Sequence, residues 1–359
     1  DGHYWSAQQE VASVTGKDLQ WPGTAVYEGR CFVAWSEQTV SGDHIFNVYE
    51  TELGTGTERL INGSLGYQWP SWPRLAQDGE KLHVVFHGGG FEPDVLYASR
   101  YLTSTDEMTA TTIYTHTGDG SFYPALAVEP GGDTLHVVWE ERAGAHERKI
   151  LYMEGDASGP TISWSAPVTL SKGITLSVWP SVVADSTGAV YIAWGEQVER
   201  EAEGEIVVDH YVMFSHRGAG DPVDTWSGPD RVDPNPVKVN ELIPTAVTLS
   251  TALVEDDGHV RFCVAWHGFR AGDAEQDEEI LLSCTTDQGD TWTGPYNMSR
   301  TEGDEANSIW PVIAFDSVGE LQGAWQERYV GGEITLDYEI YHTRRLDRRT
   351  YLPLLFRRS

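Results

Sequence analysis

Six short hydrophobic runs along the chain end in an aromatic residue. The runs end at Trp35, Phe86, Trp139, Trp194, Trp266 and Trp325, at intervals of 51, 53, 55, 72 and 59 residues. A glycine precedes each run, at Gly29, Gly79, Gly132, Gly188, Gly258 and Gly319. Short apolar runs that begin after a glycine turn are typical of strands in β-hairpins. The pattern therefore predicts one strand that is repeated six times.

An aromatic or apolar residue followed by proline lies upstream of each run. These pairs are Trp21-Pro22, Trp72-Pro73, Tyr123-Pro124, Trp179-Pro180, Ile243-Pro244 and Trp310-Pro311. Because proline has no N–H to donate, we expect each pair to mark the first residue of a strand. Third strands are predicted from Asp94, Lys149, Tyr211, Glu279 and Glu339, and fourth strands from Trp164, Trp226 and Trp292. Four antiparallel strands in each of six units predict an all-β, six-bladed β-propeller.

The two ends of the chain indicate how such a ring closes. Trp5-Ser6-Ala7 is similar to Trp164-Ser165-Ala166, and the sixth repeat has no outer strand of its own. A closed ring leaves no free strand edge. We therefore expect residues 5–11 to complete the sixth blade, which gives one propeller over residues 1–344 and a C-terminal tail over residues 345–359.

The fifth repeat contains a turn motif between its third and fourth strands. Its defined positions are Thr285, Asp287, Gly289, Thr291 and Trp292. The motif resembles the Asp-box, or BNR repeat, of the sialidase-like propellers, in which it is a structural hairpin on the outer rim of a blade. The resemblance implies that Asp287 is a scaffold residue that accepts backbone N–H bonds.

Sialidases of that family also have an arginine triad, and the first arginine lies in an Arg-Ile-Pro motif of the first blade. Here the corresponding segment, Leu19 to Ala25, contains no arginine. Arg74 follows Trp72-Pro73 in the second repeat, but the spacing of the arginines does not assemble a triad. Sialidase activity is therefore not expected.

Candidate ligand groups follow the strand-ending aromatics and the proline pairs, which a propeller brings to one face. The residues after the aromatics include Glu37, His87, Glu141, Glu196, His267 and Glu327, and the pairs contribute Trp72, Arg74 and Tyr123. His87 and His267 interrupt a row of glutamates and are expected to face each other across the ring. The aromatic rings could stack on sugars, and two carboxylates could hydrolyse a glycosidic bond. Alternatively, features that recur in every blade belong to the architecture.

Net charge and cysteines limit the partners. The chain has 24 Lys and Arg against 55 Asp and Glu, a formal charge of −31, which argues against nucleic acid as a partner. The acidic segments 199–205 and 273–279 could bind Ca²⁺, but they lack the spacing of known calcium loops, so no cofactor is expected. Cys263 and Cys284 lie on consecutive predicted strands; we interpret them as two buried free thiols, with a disulfide as the alternative.

The C-terminal tail differs from the acidic body. Residues 344–359 carry six Arg and one Asp, and the segment from Tyr351 to Phe356 is apolar. Its candidate contact residues are Tyr351, Leu352, Leu354, Leu355, Phe356, Arg357 and Arg358. The apolar segment is too short to cross a bilayer. We expect it to dock on this chain or on a neighbouring subunit.

These observations support two functional hypotheses. The first is an exported, non-catalytic propeller that serves as a surface, matrix or self-assembling subunit through its tail. The chain begins at Asp1 instead of methionine, which agrees with a removed leader and a secreted or cell-surface location. The alternative is a glycan-binding protein or glycoside hydrolase that uses the face of the predicted channel.

Overall fold

The computed structural model describes most of the chain. The described residues are 11–12, 17–39, 46–55, 57–61, 69–104, 108–144, 147–172, 176–202, 205–238, 249–256, 259–270, 278–299, 306–316, 318–329 and 337–344. Every regular segment among them is a β-strand, so the predicted all-β class is confirmed. These residues contain no helix long and apolar enough to cross a membrane.

Two compact units divide the chain, residues 1–124 and 125–359, and each is described by itself. The boundary falls within one strand, Gly120–Val128. Residues 5–10 and 345–359 lie outside the described residues, so the predicted closing strand and the docking of the tail stay predictions. The single domain over residues 1–344 also stays a prediction.

The first unit contains two four-stranded antiparallel sheets whose strands follow chain order. The strands are β1 (Lys17–Tyr27), β2 (Arg30–Thr39), β3 (Phe46–Glu52) and β4 (Glu58–Leu60), then β5 (Ser71–Gln77), β6 (Lys81–Gly88), β7 (Asp94–Tyr101) and β8 (Thr111–Tyr114). The strand that contains the unit boundary is β9 (Gly120–Val128). This succession of neighbouring antiparallel strands is what the repeated hydrophobic runs predict.

A buried ion pair joins the two sheets of the first unit. The Glu50 carboxylate on β3 is fully buried and accepts two hydrogen bonds from Arg100 on β7, at 2.9 and 3.2 Å. Arg59 donates to the same carboxylate at 3.1 Å. Around it Phe32, Val84 and other apolar side chains form one core. A buried charge is tolerated only when it is paired, so this cluster fixes one sheet against the other.

The second unit repeats the antiparallel succession four times. Its strands are β10 (Thr134–Arg142), β11 (Arg148–Asp156), β12 (Ser163–Trp164), β13 (Val168–Thr169), β14 (Leu176–Ala184), β15 (Val190–Ala202), β16 (Glu205–Arg217), β17 (Asp230–Arg231), β18 (Val237–Lys238), β19 (Leu249–Asp256), β20 (His259–Arg270), β21 (Glu279–Thr285), β22 (Thr293–Asn297), β23 (Ala306–Phe315), β24 (Leu321–Tyr329) and β25 (Asp337–Arg344). The predicted third strands lie within β11, β16, β21 and β25, as their sequence positions indicate.

Tryptophans fill the space between successive groups of strands in the second unit. Trp226 packs edge-on against Tyr152 of β11 with ring centroids 4.8 Å apart, and Trp292 packs against Phe214 of β16 at 5.2 Å. Trp194 and Trp266 are fully buried in the same two cores. Large aromatic rings bury much apolar area per residue, which explains why tryptophan recurs at these positions.

Each described pair of the predicted repeat, at Trp21, Trp72, Tyr123, Trp179 and Trp310, lies inside its strand and not at the strand's first residue. The register breaks between Gln20 and Gly23, Ser71 and Arg74, Val178 and Ser181, and Ile309 and Val312, so each break contains one pair. The expectation that these prolines begin strands is therefore wrong. A β-bulge interrupts the ladder, and proline fits there because no N–H is required of it. Ile243-Pro244 lies outside the described residues.

The aromatic residue of each of these five pairs has an unusual backbone. Its φ is positive at Trp21, Trp72, Tyr123, Trp179 and Trp310, with values between 51° and 62°. Bulky side chains rarely adopt this left-handed region, and each such residue costs about 1–3 kcal/mol. The bulges are therefore strained points that the surrounding contacts must hold in place.

Cys263 and Cys284 form a disulfide. They occupy directly opposite positions on β20 and β21, with Cα atoms 4.1 Å apart. The interpretation of two free thiols is therefore wrong, because the register brings the two side chains together. Cys31 remains as a free cysteine.

The turn from Thr285 to Trp292 is organised by the Asp287 carboxylate. Thr291 donates to it through its backbone N–H at 2.9 Å and its hydroxyl at 2.5 Å, and the Thr285 hydroxyl donates at 2.7 Å. Gly289 has a φ of 97° and approaches Phe214 so closely that a Cβ would lie 2.4 Å from the ring. The hydrogen bonds from Thr291 and Thr285 lower the pKa of Asp287 to about 2.

We expect Asp287→Asn to destabilise the protein at neutral pH. The folded-state pKa lies below the ordinary value of 3.8, so the carboxylate stabilises the fold above about pH 4 and this contribution is lost as pH falls towards 2. Urea unfolding at pH 7 and pH 3 should show a stability difference from the parent protein that shrinks at the lower pH.

The matched control is Asp290→Asn, which removes a carboxylate of the same turn that accepts none of these bonds. It should change stability much less at pH 7. Equal stability of the Asp287 variant and the parent protein at pH 7 would contradict the role assigned to this turn.

Candidate functional site

Three aromatic side chains of the first unit form a continuous row. Trp72 lies between Trp21, with ring centroids 5.6 Å apart, and Tyr123, at 5.0 Å. All three have the left-handed backbone described above, on β1, β5 and β9, and all three are partly exposed. We call Trp21, Trp72, Tyr123 and the adjacent Arg74 the Trp72 surface.

Arg74 stacks on this row. Its guanidinium carbon lies 5.0 Å from the centroid of the Trp72 ring, and its Nη1 donates to the carbonyl of Pro73 at 3.1 Å. Burial lowers the pKa of Arg74 to about 10, so it remains positively charged at neutral pH. The Trp72 surface therefore combines aromatic faces with one cation.

His87 supports the surface from below. Its Nδ1 accepts the backbone N–H of Tyr123 at 3.2 Å, so the Nε2 proton of the neutral ring faces the Ser71 hydroxyl at 2.8 Å. The side chains of His87 and Ser71 are buried. Both ring nitrogens are thus engaged within the fold, and His87 acts as a positioning residue for the Tyr123 bulge.

The second unit contains an equivalent contact. The Glu140 carboxylate accepts the backbone N–H of Trp179, the aromatic residue of the next bulge. Glu140 is fully buried, and burial raises its pKa although Arg142 and Arg148 lie beside it. His87 and Glu140 each directly follow the aromatic residue that ends a hydrophobic run. In both repeats the side chain at this position accepts a hydrogen bond from the backbone N–H of the next strained aromatic residue.

The glutamates and histidines that were predicted to form one row lie on opposite faces of their strands. His87 and His267 are the first residue after the aromatic, whereas Glu141, Glu196 and Glu327 are the second. Successive side chains of a strand point to opposite faces, so the two groups do not form one row. His267 and Glu141 are buried, at 1% and 4% exposure.

The glutamates share a face with the preceding tryptophans. The Trp325 indole donates to Glu327 at 3.0 Å and the Trp194 indole donates to Glu196 at 3.4 Å. Glu327 is fully buried and also accepts the Ser308 hydroxyl at 2.9 Å. These contacts favour the architectural interpretation of the glutamates.

One aromatic pair was not predicted from the sequence. Trp69 and Phe91 contact each other edge-on at 4.3 Å, beside the start of β5 and after the end of β6. Phe91 is 84% exposed. The signal was present in the sequence, because Trp69-Pro70 is a second aromatic-proline pair immediately before Trp72-Pro73.

The acidic segments do not form a described metal site. Residues 199–202 continue β15, and Glu205 begins β16, so this segment belongs largely to a hairpin. Residues 273–277 lie outside the described residues. In the described ranges no three His, Cys, Asp or Glu side chains are grouped to hold a metal ion, and calcium binding stays a prediction.

The second unit has a separate cavity of about 470 Å³. Leu126, Val182, Leu253 and Phe315 line it, from the ends of β9, β14, β19 and β23. None of the residues predicted as ligand groups lines this cavity.

Comparison with known proteins identifies the fold and not a family. No protein-family model matches the chain, and no curated protein matches it in sequence. A polysaccharide lyase of family PL25, an ulvan lyase solved with -[GlcA(1-4)Rha3S]- bound, matches with a TM-score of 0.58 and 12% identity over 89% of this chain and 78% of its own.

Two other similar structures are also carbohydrate-active enzymes. The α-L-arabinanase of Penicillium chrysogenum matches with a TM-score of 0.54 and 11% identity, covering 90% of this chain and 92% of the enzyme. The NanB sialidase of Streptococcus pneumoniae matches with a TM-score of 0.52 and 10% identity, covering 90% and 67%. All three are propeller-type enzymes, so the fold of this chain is similar to that of β-propellers.

Substitution of Glu327 tests whether the buried glutamates stabilise the fold or bind a ligand. Glu327→Leu leaves the Trp325 indole and the Ser308 hydroxyl without their acceptor, so we expect a loss of about 1–3 kcal/mol in unfolding free energy. Glu327→Gln keeps an acceptor and should lose less. Chemical denaturation measures both.

Gln326→Leu, on the opposite face of the same strand, is the matched control and should change stability little. A Glu327→Leu variant with unchanged stability but altered ligand binding would contradict the architectural role.

Proposed function

We propose that this chain is a β-propeller protein that binds carbohydrate through the Trp72 surface. The observation that carries the proposal is the continuous row of Trp21, Trp72 and Tyr123, with centroid distances of 5.6 and 5.0 Å. Ligand sites combine apolar and aromatic walls with a few polar groups that fix orientation. Flat aromatic faces beside a guanidinium match a sugar ring, which has apolar C–H faces and polar edges.

The similar structures support this choice of ligand class. The ulvan lyase and the arabinanase were solved with an oligosaccharide bound. Their identity to this chain is 11–12%, so the argument for this chain rests on its own side chains.

Binding is favoured over cleavage. A general acid or base must reach the substrate, but His87 uses both ring nitrogens within the fold. Glu140 and Glu327 are fully buried and bonded to neighbouring groups. The groups that remain for a ligand on the Trp72 surface are aromatic rings and a guanidinium.

The proposed architecture is a ring of six blades that is closed by residues 5–11. Six successive groups of antiparallel strands begin at β1, β5, β9, β14, β19 and β23. The last group has three described strands, which is consistent with a fourth that comes from the N-terminus.

Export is part of the proposal. The Cys263–Cys284 disulfide supports it, because structural disulfides persist in oxidising compartments. A secreted or cell-surface protein would meet polysaccharides directly.

Self-association through the tail stays a separate prediction. We expect removal of residues 346–359, which include Leu354 and Phe356, to convert oligomers to monomers, because the apolar segment would no longer insert into a neighbour. Light scattering coupled to gel filtration measures the mass. A full-length chain that is already monomeric would contradict this prediction.

Trp72→Ala should weaken carbohydrate binding at least tenfold, since central aromatic contacts commonly contribute about 1–2 kcal/mol or more. Binding is measured by titration calorimetry with a ligand selected from a glycan array. Trp72→Phe should retain part of the affinity.

The matched control is Tyr101→Ala, which removes an exposed aromatic ring at the C-terminal end of β7. Tyr101 is not part of the Trp72 surface. It should leave affinity unchanged. The proposal fails if the array gives no ligand, or if Trp72→Ala binds as tightly as the parent protein while remaining folded.

A further inference from the structure

Arg74 is a positively charged group without a carboxylate partner. In the described part of the chain, the acceptor that its guanidinium reaches is the Pro73 carbonyl, and its other close contact is the Trp72 ring. Seven other arginines of the described residues are bound to carboxylates: Arg30, Arg59, Arg100, Arg142, Arg148, Arg200 and Arg217. Arg231 and Arg261, like Arg74, lie over an aromatic ring and have no ion pair with a described carboxylate.

The absence of a carboxylate partner at Arg74 is unexpected in so acidic a chain. Asp and Glu outnumber Lys and Arg by 55 to 24, so a carboxylate partner would be easy to supply. A cation that is removed from water needs an opposite charge or several acceptors. Burial already lowers the pKa of Arg74 to about 10, so the fold leaves this group incompletely solvated.

Arg74 also breaks the internal repeat. The equivalent residues, each second after the bulge aromatic or its apolar counterpart, are Gly23, Ala125, Ser181, Thr245 and Val312. All are small or uncharged. A cation at this one position is therefore not a requirement of the bulge, which forms without it at β1, β14 and β23.

We propose that the Trp72 surface selects an anionic sugar, whose carboxylate or sulfate group pairs with Arg74 while its ring lies against the aromatic row. This inference rests on the proposed carbohydrate-binding function and names its ligand class. A guanidinium can donate two parallel hydrogen bonds to a carboxylate or sulfate. With a formal charge of −31, the whole protein repels anions, so anion selectivity has to come from this local group.

The test compares charged and neutral forms of the same sugar chain. A homo-oligomer of galacturonic acid is titrated into the protein beside its methyl ester, and a sulfated galactan oligosaccharide beside its desulfated form. We expect at least tenfold tighter binding of one acidic form than of its neutral counterpart. The pair that shows the difference identifies carboxylate or sulfate as the recognised group.

Arg74→Gln should remove that preference and leave binding of the neutral form unchanged. Arg74→Lys should keep part of it, because the charge stays but the paired donors are lost. Arg231→Gln is the matched control, since Arg231 is an exposed guanidinium stacked on Tyr211 with its carbon 3.6 Å from the ring centroid. The same charge is removed there, and selectivity should persist.

Thermal unfolding provides a second readout. Because Arg74 has no carboxylate partner within the described fold, Arg74→Gln should unfold at the same temperature as the parent protein or higher, and only the parent should be stabilised by the acidic oligosaccharide. A lower unfolding temperature for Arg74→Gln would show that the guanidinium serves the fold, which overturns the inference.

The results separate this inference from the proposed function. Equal affinity for charged and neutral sugars, with binding lost in Trp72→Ala, overturns the anionic selectivity alone. Binding of an acidic sugar that survives both Arg74→Gln and Trp72→Ala places the site elsewhere and overturns both.

Discussion

A buried side chain that accepts a hydrogen bond from the backbone N–H of a strained aromatic residue is the contact on which two of the aromatic-proline pairs depend. The aromatic-proline pairs at Trp21, Trp72, Trp179 and Trp310 each interrupt the register of a strand, and the aromatic residue adopts a left-handed backbone that bulky residues avoid. Such a conformation persists only when other contacts hold it. At Tyr123 the contact is the His87 ring, and at Trp179 it is the Glu140 carboxylate. Because the bulge also breaks the ladder, these bonds replace backbone pairing that the strand gives up.

This constraint explains why a position can vary in sequence without changing its role. His87 stands where the next repeat has Glu140, and each accepts an N–H from the following bulge. The histidine looked like a break in the pattern and therefore like a ligand, but an imidazole with an unprotonated Nδ1 and a carboxylate are both acceptors. By contrast, Arg74 has no acceptor role, and the bulges at β1, β14 and β23 form without an arginine at this position.

Sequence periodicity predicted the strands and their repetition well, because apolar runs and glycine turns reflect local geometry. It failed where the three-dimensional register decides. The prolines were expected at strand starts, yet a proline is equally compatible with a bulge, and nothing in Trp72-Pro73 distinguishes the two. The Cys263–Cys284 disulfide depends on the two strands pairing without offset. His87 and Glu141 were grouped by proximity to an aromatic, although a shift of one residue moves a side chain to the opposite face. Trp69 and Phe91 meet through the fold and not through sequence spacing.

Several features that cost folding free energy meet on the Trp72 surface. Trp21, Trp72 and Tyr123 hold unfavourable φ values, their rings are left partly exposed, and Arg74 has no carboxylate partner in the described part of the chain. Elsewhere in the first unit charges are paired, as at Glu50 and Arg100. On the Trp72 surface a cation without a carboxylate partner lies beside three partly exposed aromatic rings, whereas the Glu50 carboxylate of the same unit is buried and paired with two arginines. Such local inconsistency is expected at a site that a ligand completes.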